Sequence, residues 1–155
     1  MVKAARVRSS VDLTLQPNTP YVPSFDVITY DTGGFFNAQQ PERLTIPEDG
    51  LYMLGASVIW EFTPANSDVL ADWGIEHITR RVILAYDGVH LRPLHNWRAS
   101  LCTQYGFQAG DQILVFGNHT HDSPLRWFAP KVTPQPNPES SGHELATVFW
   151  IHKVA

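Results

Sequence analysis

Seven histidines are the residues of this chain best suited to metal or proton chemistry, and two of them stand close together in His119-Thr120-His121-Asp122. Side chains two apart in a strand share a face, so His119 and His121 could converge on one ion. Two ligands are too few for a zinc site, and the run borders a proline-rich stretch where polar residues are expected in any case. No bound metal is expected there, and no Ca²⁺-loop motif is recognisable elsewhere. Asn118-His119-Thr120 has the form of a glycosylation acceptor, which has no meaning without a secretion route. Cys102 is the only cysteine; it cannot close an intrachain disulfide, and between Leu101 and Thr103 it is expected to be a buried, inert thiol. The chain has no Gly-x-Ser-x-Gly elbow, Gly-x-Gly-x-x-Gly turn, P-loop or His-Glu-x-x-His pair. No catalytic residue and no cofactor are expected, and the chain is not expected to be an enzyme.

What remains is a scaffold. With 155 residues the chain is read as one domain, 1–155, in which 1–4 form a short N-terminal extension. Only 17% of it is charged, and five Trp, five Tyr and eight Phe suit sheets and buried interfaces. Twelve Pro and ten Gly argue against long helices. The net charge of −4 and the lack of a basic stripe disfavour nucleic acid. Lys3, Arg6 and Arg8 read as a solvated end. No apolar signal core and no run approaching a membrane span is present, so a soluble product of the cytoplasm, with no membrane partner, is expected.

Strand patterns dominate. Ala4 to Ser10 reads as an edge strand, Phe25 to Asp31 as a strand ended by Thr32-Gly33-Gly34, and Arg43 to Ile46 as a short one closed by Pro47 and Asp49-Gly50. Leu54, Ala56, Val58, Trp60 and Phe62 alternate with Met53, Gly55, Ser57, Ile59 and Glu61, the period of a strand facing a core. Glu61 to His77 reads as a long loop with a helical turn around Val69 to Trp73. Thr79 to Tyr86 is strand-like, with Asp87-Gly88 as a hairpin turn into Val89 to Leu91. Trp97 to Phe107, Gln112 to His119 and Glu144 to Val154 complete the strands. Pro124 to Gly142, with five prolines, is read as irregular surface. About ten short strands with frequent turns imply an all-β, antiparallel sandwich or jelly roll.

Two strands are apolar on both sides. Ile113 and Val115 oppose Leu114 and Phe116; Phe149 and Ile151 oppose Val148 and Trp150. A sandwich strand needs only one apolar face, so the second is covered by a loop or by another subunit. Oligomerisation is favoured, with Leu114, Phe116, Phe149 and Trp150 as candidate interface residues.

The run Tyr30-Asp31-Thr32-Gly33-Gly34-Phe35-Phe36-Asn37, followed by Arg43-Leu44-Thr45-Ile46-Pro47-Glu48-Asp49-Gly50-Leu51-Tyr52, resembles the motifs of C1q-like domains. Phe107-Gln108-Ala109-Gly110-Asp111-Gln112-Ile113 resembles the family's later turn, and Ala146 to Ile151 its closing strand, without the usual Ser-Gly pair. Gly50 and Gly110 fall where tight turns are expected to need positive φ. The resemblance implies a jelly roll of the C1q and tumour-necrosis-factor kind that forms a homotrimer and binds proteins, glycans or surfaces without catalysis. Ala5-Arg6-Val7-Arg8-Ser9-Ser10 and the Arg43 to Gly50 turn are similar to C1q-like domains of bacteria and bacteriophages, where such domains commonly belong to virion or surface proteins. The expectation is a virion-located capsid decoration or cement protein. The alternatives are a receptor-binding or adhesin tip of a phage fibre, which would bind a host surface receptor, and a free cellular module that binds proteins or glycans.

Overall fold

The computed structural model describes residues 2–61, 69–91, 97–129 and 147–155. Among them the chain forms eleven strands and no helix: β1 (Ala4–Arg8), β2 (Leu13–Leu15), β3 (Val27–Asp31), β4 (Leu44–Thr45), β5 (Gly50–Trp60), β6 (Val69–His77), β7 (Val82–Leu91), β8 (Trp97–Phe107), β9 (Gln112–His119), β10 (Leu125–Trp127) and β11 (Val148–Lys153). Every pairing is antiparallel. The larger sheet runs β2-β10-β5-β11-β1-β3 with β8 on the other side of β5; the smaller runs β4-β9-β6-β7. This is the two-sheet sandwich that the alternation implied.

The core follows from period two. On β5, Tyr52, Leu54, Ala56, Val58 and Trp60 are buried, and on β6 so are Val69, Ala71, Trp73, Ile75 and His77. Trp60 and Trp127 pack edge to face with centroids 5.2 Å apart, and Tyr21 meets Trp127 at 6.2 Å. Gly117 leaves the space for this cluster, since a Cβ there would lie 2.2 Å from the Trp127 ring.

Two of the motifs that carried the resemblance are turn devices. The Asp31 carboxylate accepts the backbone N–H groups of Gly33, Gly34, Phe35 and Phe36, and Gly34 takes φ +75°. Asp111 accepts the Gln108 N–H at 2.8 Å across a turn in which Gly110 has φ +87°. Gly50 does not take positive φ among these glycines; its need is space, because a Cβ would meet Lys153 Cε at 2.5 Å and the Ala155 carbonyl at 2.6 Å.

Several expectations are corrected. β1 is no edge strand: it lies between β11 and β3, which is why Ala5 and Val7 are wholly buried. Val69 to Trp73 is not a helical turn but the start of β6, paired on both sides by β7 and β9. Asp87-Gly88 is not a hairpin turn, for these residues pair with Trp73 and Asp72 inside an unbroken β7. The reversal comes earlier, where Arg81 donates its N–H to the Ile78 carbonyl and takes φ +54°. Within Pro124 to Gly142 the structure has β10, paired to β2; residues 130–146, Phe62 and the remainder of the 62–68 stretch lie outside the described residues.

Candidate interaction surface

Register assigns each side of the larger sheet. Pairing of Phe149 with Ala56 and of Ile151 with Leu54 turns these side chains inward, while Trp150 pairs with Gly55 and faces outward. Phe149 is therefore not an interface residue. It is fully buried in the chain's own core, 6.1 Å from the Phe25 ring centroid.

Around Trp150 the outward face is aromatic and mixed. Gly55 has no side chain, and the indole lies against it: a Cβ there would meet Trp150 Cζ2 at 2.5 Å. Trp150 meets the His152 ring edge-on at 5.7 Å, and His152 Nε2 and the Tyr30 hydroxyl are hydrogen-bonded at 2.8 Å. Arg6 pairs with both Trp150 and Tyr30 across the ladder. Met53 is 42% exposed, and Cys102 is exposed opposite Gly55. Arg6, Tyr30, Met53, Cys102, Trp150 and His152 help line an open depression of about 760 Å³. Cys102 is thus the reverse of the buried thiol expected, because its pairing with Gly55 sets it on the outer side of β8.

Leu114 and Phe116 are half-buried on the other side of the molecule, on the outer face of the smaller sheet. The four candidate residues are therefore divided among the core, one outer face and the opposite outer face. Tyr30, Met53 and His152 were not singled out from sequence, although the alternation of β5 put Met53 and Gly55 on the side away from the core.

The histidine pair does not converge. His119 is buried; its Nε2 donates to the Leu15 carbonyl at 2.9 Å and its Nδ1 accepts the His121 N–H at 3.2 Å. Burial, with the nearby His121 adding to it, holds the His119 pKa below its ordinary value. His121 turns its Nδ1 to the backbone of Ser123. No group of three metal-ligating side chains occurs among the described residues. A His–Asp pair does exist: His77 Nε2 lies 3.1 Å from Asp111 Oδ2, close but not aligned as a hydrogen bond. His77 is wholly buried and its Nδ1 accepts the Arg80 N–H, so the pair secures the ends of β6 and β9 and is closed to substrate.

No family model matches the chain, and no curated protein matches it. Solved structures do. Three crystal structures of murine APRIL, at pH 8.5, 5.0 and 8.0, each cover 99% of this chain and 100% of their own. Their TM-scores are 0.65, 0.64 and 0.64 at sequence identities of 12%, 13% and 12%. The fold is a jelly roll of the tumour-necrosis-factor kind.

Proposed function

We propose that this chain is a non-enzymatic structural module that assembles as a homotrimer, and that the trimer decorates the shell of a bacteriophage particle, cementing neighbouring coat subunits. The observation that carries the trimer is the Trp150 face. The sandwich already has its core, so Trp150, Tyr30 and Met53 on the outside of the larger sheet add nothing to it, and aromatic and Met side chains are enriched where proteins meet. A closed ring of three joins two different surfaces of each copy. Surfaces on opposite faces of a slab repeat along a line and do not close. The ring therefore sets the Trp150 face against an edge of the next copy and leaves Leu114 and Phe116 outside it.

The virion role is supported by the resemblance of Ala5 to Ser10 and Arg43 to Gly50 to bacterial and phage C1q-like sequences. Quantitative mass spectrometry of purified particles tests it. Tens to hundreds of copies per particle are expected, and a chain missing from particles overturns the role. A count of only a few copies supports a second reading, a receptor-binding fibre tip. One observation favours that reading: the ends of β5, β7 and β10 and the starts of β6, β8 and β11 gather at the pole marked by Trp60 and His119.

A further inference from the structure

The outer face of the smaller sheet is used neither by the core nor by the proposed ring. Register sets Leu114, Phe116 and Asn118 of β9 beside Glu76, Gly74 and Asp72 of β6, with Ile83, Tyr86 and Gly88 of β7 beyond them. Gly74 makes a floor on which Phe116 lies, since a Cβ there would come within 2.9 Å of its ring. Leu70, Ile83 and Tyr86 are 51%, 55% and 56% exposed. β7 is the outermost strand of its sheet, yet Val82-Ile83-Leu84-Ala85-Tyr86 carries none of the charges or prolines that protect free edges.

Asp72 and Glu76 make the middle of this face negative; Arg43, which reaches Gln112 at the β4 margin, is held by Glu42, and His90 stands at the far end opposite Leu70. Asp72 accepts the Tyr86 hydroxyl at 3.5 Å, and its negative charge, with desolvation and then Asp87 adding to it, pushes the phenol above its ordinary pKa. Glu76 has no ion-pair partner among the described residues. Arg80, at the β6–β7 turn, is directed to Gln108 and Asp111.

We propose that this face docks a partner segment that is both apolar and basic: an extended stretch whose aliphatic side chains cover Ile83, Tyr86 and Phe116 and whose lysines or arginines meet Asp72 and Glu76. A second copy of the chain is the wrong occupant, because a twofold contact through this face brings two acidic rows together, and like charges facing each other disfavour association. The inference stands whether or not the ring of three forms.

The test titrates ¹⁵N-labelled protein with a ten-residue extended peptide in which pairs of valines alternate with pairs of lysines, so that each of its faces carries both, and separately with the same peptide bearing glutamate for lysine. Amide shifts confined to β6, β7 and β9 are expected with the lysine peptide only. Asp72→Asn with Glu76→Gln, and separately Ile83→Ser, should each weaken binding at least about tenfold. Ile83 is more than half exposed, so its replacement leaves the core intact, which circular dichroism checks. The proposal is overturned if the lysine peptide fails to bind, if its shifts map elsewhere, or if the neutral double variant binds equally well. It is also overturned if Ile83→Lys dissociates the chain's own oligomer, which would give the face to a second copy.

Discussion

Gly55 sits in the middle of β5 beneath Trp150, and replacing it with Ala tests whether that indole is seated as described. In an open strand the change is favourable, because Gly costs roughly 0.5–1 kcal/mol relative to Ala. Here the new Cβ would stand 2.5 Å from the Leu101 carbonyl oxygen and 2.5 Å from Trp150 Cζ2. The carbonyl belongs to β8, held to β5 from Gly50↔Phe107 to Trp60↔Trp97, so it cannot recede. Overpacking of this kind costs about 1–3 kcal/mol, and the clash wins. The net loss of roughly 0.5–2 kcal/mol corresponds to a melting temperature lower by about 1–8 °C in a chain of this size. Gly106, on β8, is the control: nothing lies within 4 Å of its Cβ position, so Gly106→Ala should gain about 0.4–1 kcal/mol. Thermal unfolding at one fixed protein concentration reads both. Adding Trp150→Ala to Gly55→Ala should restore part of the loss, with a coupling of about 0.5–3 kcal/mol. A Gly55→Ala protein that melts at or above the wild-type temperature refutes the placement of Trp150.

Three further outcomes are expected. His119 has a folded pKa below its ordinary value, so above pH 6.5 it contributes no pH dependence; as pH falls below 6.5 the unfolded chain takes the proton first and stability declines, flattening below the folded pKa. His119→Gln should remove that part of the acid slope in urea titrations run from pH 8 to 4. Arg81, at φ +54° in an exposed turn, carries a left-handed strain of about 1–2 kcal/mol, so Arg81→Gly should raise the urea midpoint without changing the slope. Cys102 should react with a thiol reagent faster in a Trp150→Ala protein than in wild type, because the proposed ring covers the face that both residues share; equal rates would remove Cys102 from the contact.

The elements legible in the sequence were those with strong apolar alternation. β8 and β9 begin and end where the pattern put them, at Trp97 and Phe107 and at Gln112 and His119. β6 was hidden because small Ala71 and Gly74 weaken its pattern, although Val69, Ala71, Trp73, Ile75 and His77 all turn inward. Asp87-Gly88 carries the residue types of a turn, and only pairing to β6 holds it in a strand. The interface residues show a different limit. Alternation identifies strands with two apolar sides but not which side meets the core, because that depends on register with strands far away in sequence. Pairing of Phe149 with Ala56 decided it for β11, and pairing of Cys102 with Gly55 decided it for the thiol.

The central claim is that the Trp150 face closes a ring of three. Sedimentation equilibrium of the purified chain, with Trp150→Ala run beside it across a dilution series, tests this most directly. Wild type is expected to sediment at three times the 17.4 kDa of the chain, and the variant to dissociate toward monomer on dilution. A wild-type chain that remains a clean monomer at moderate concentration, or a Trp150→Ala trimer as resistant to dilution as wild type, contradicts the account.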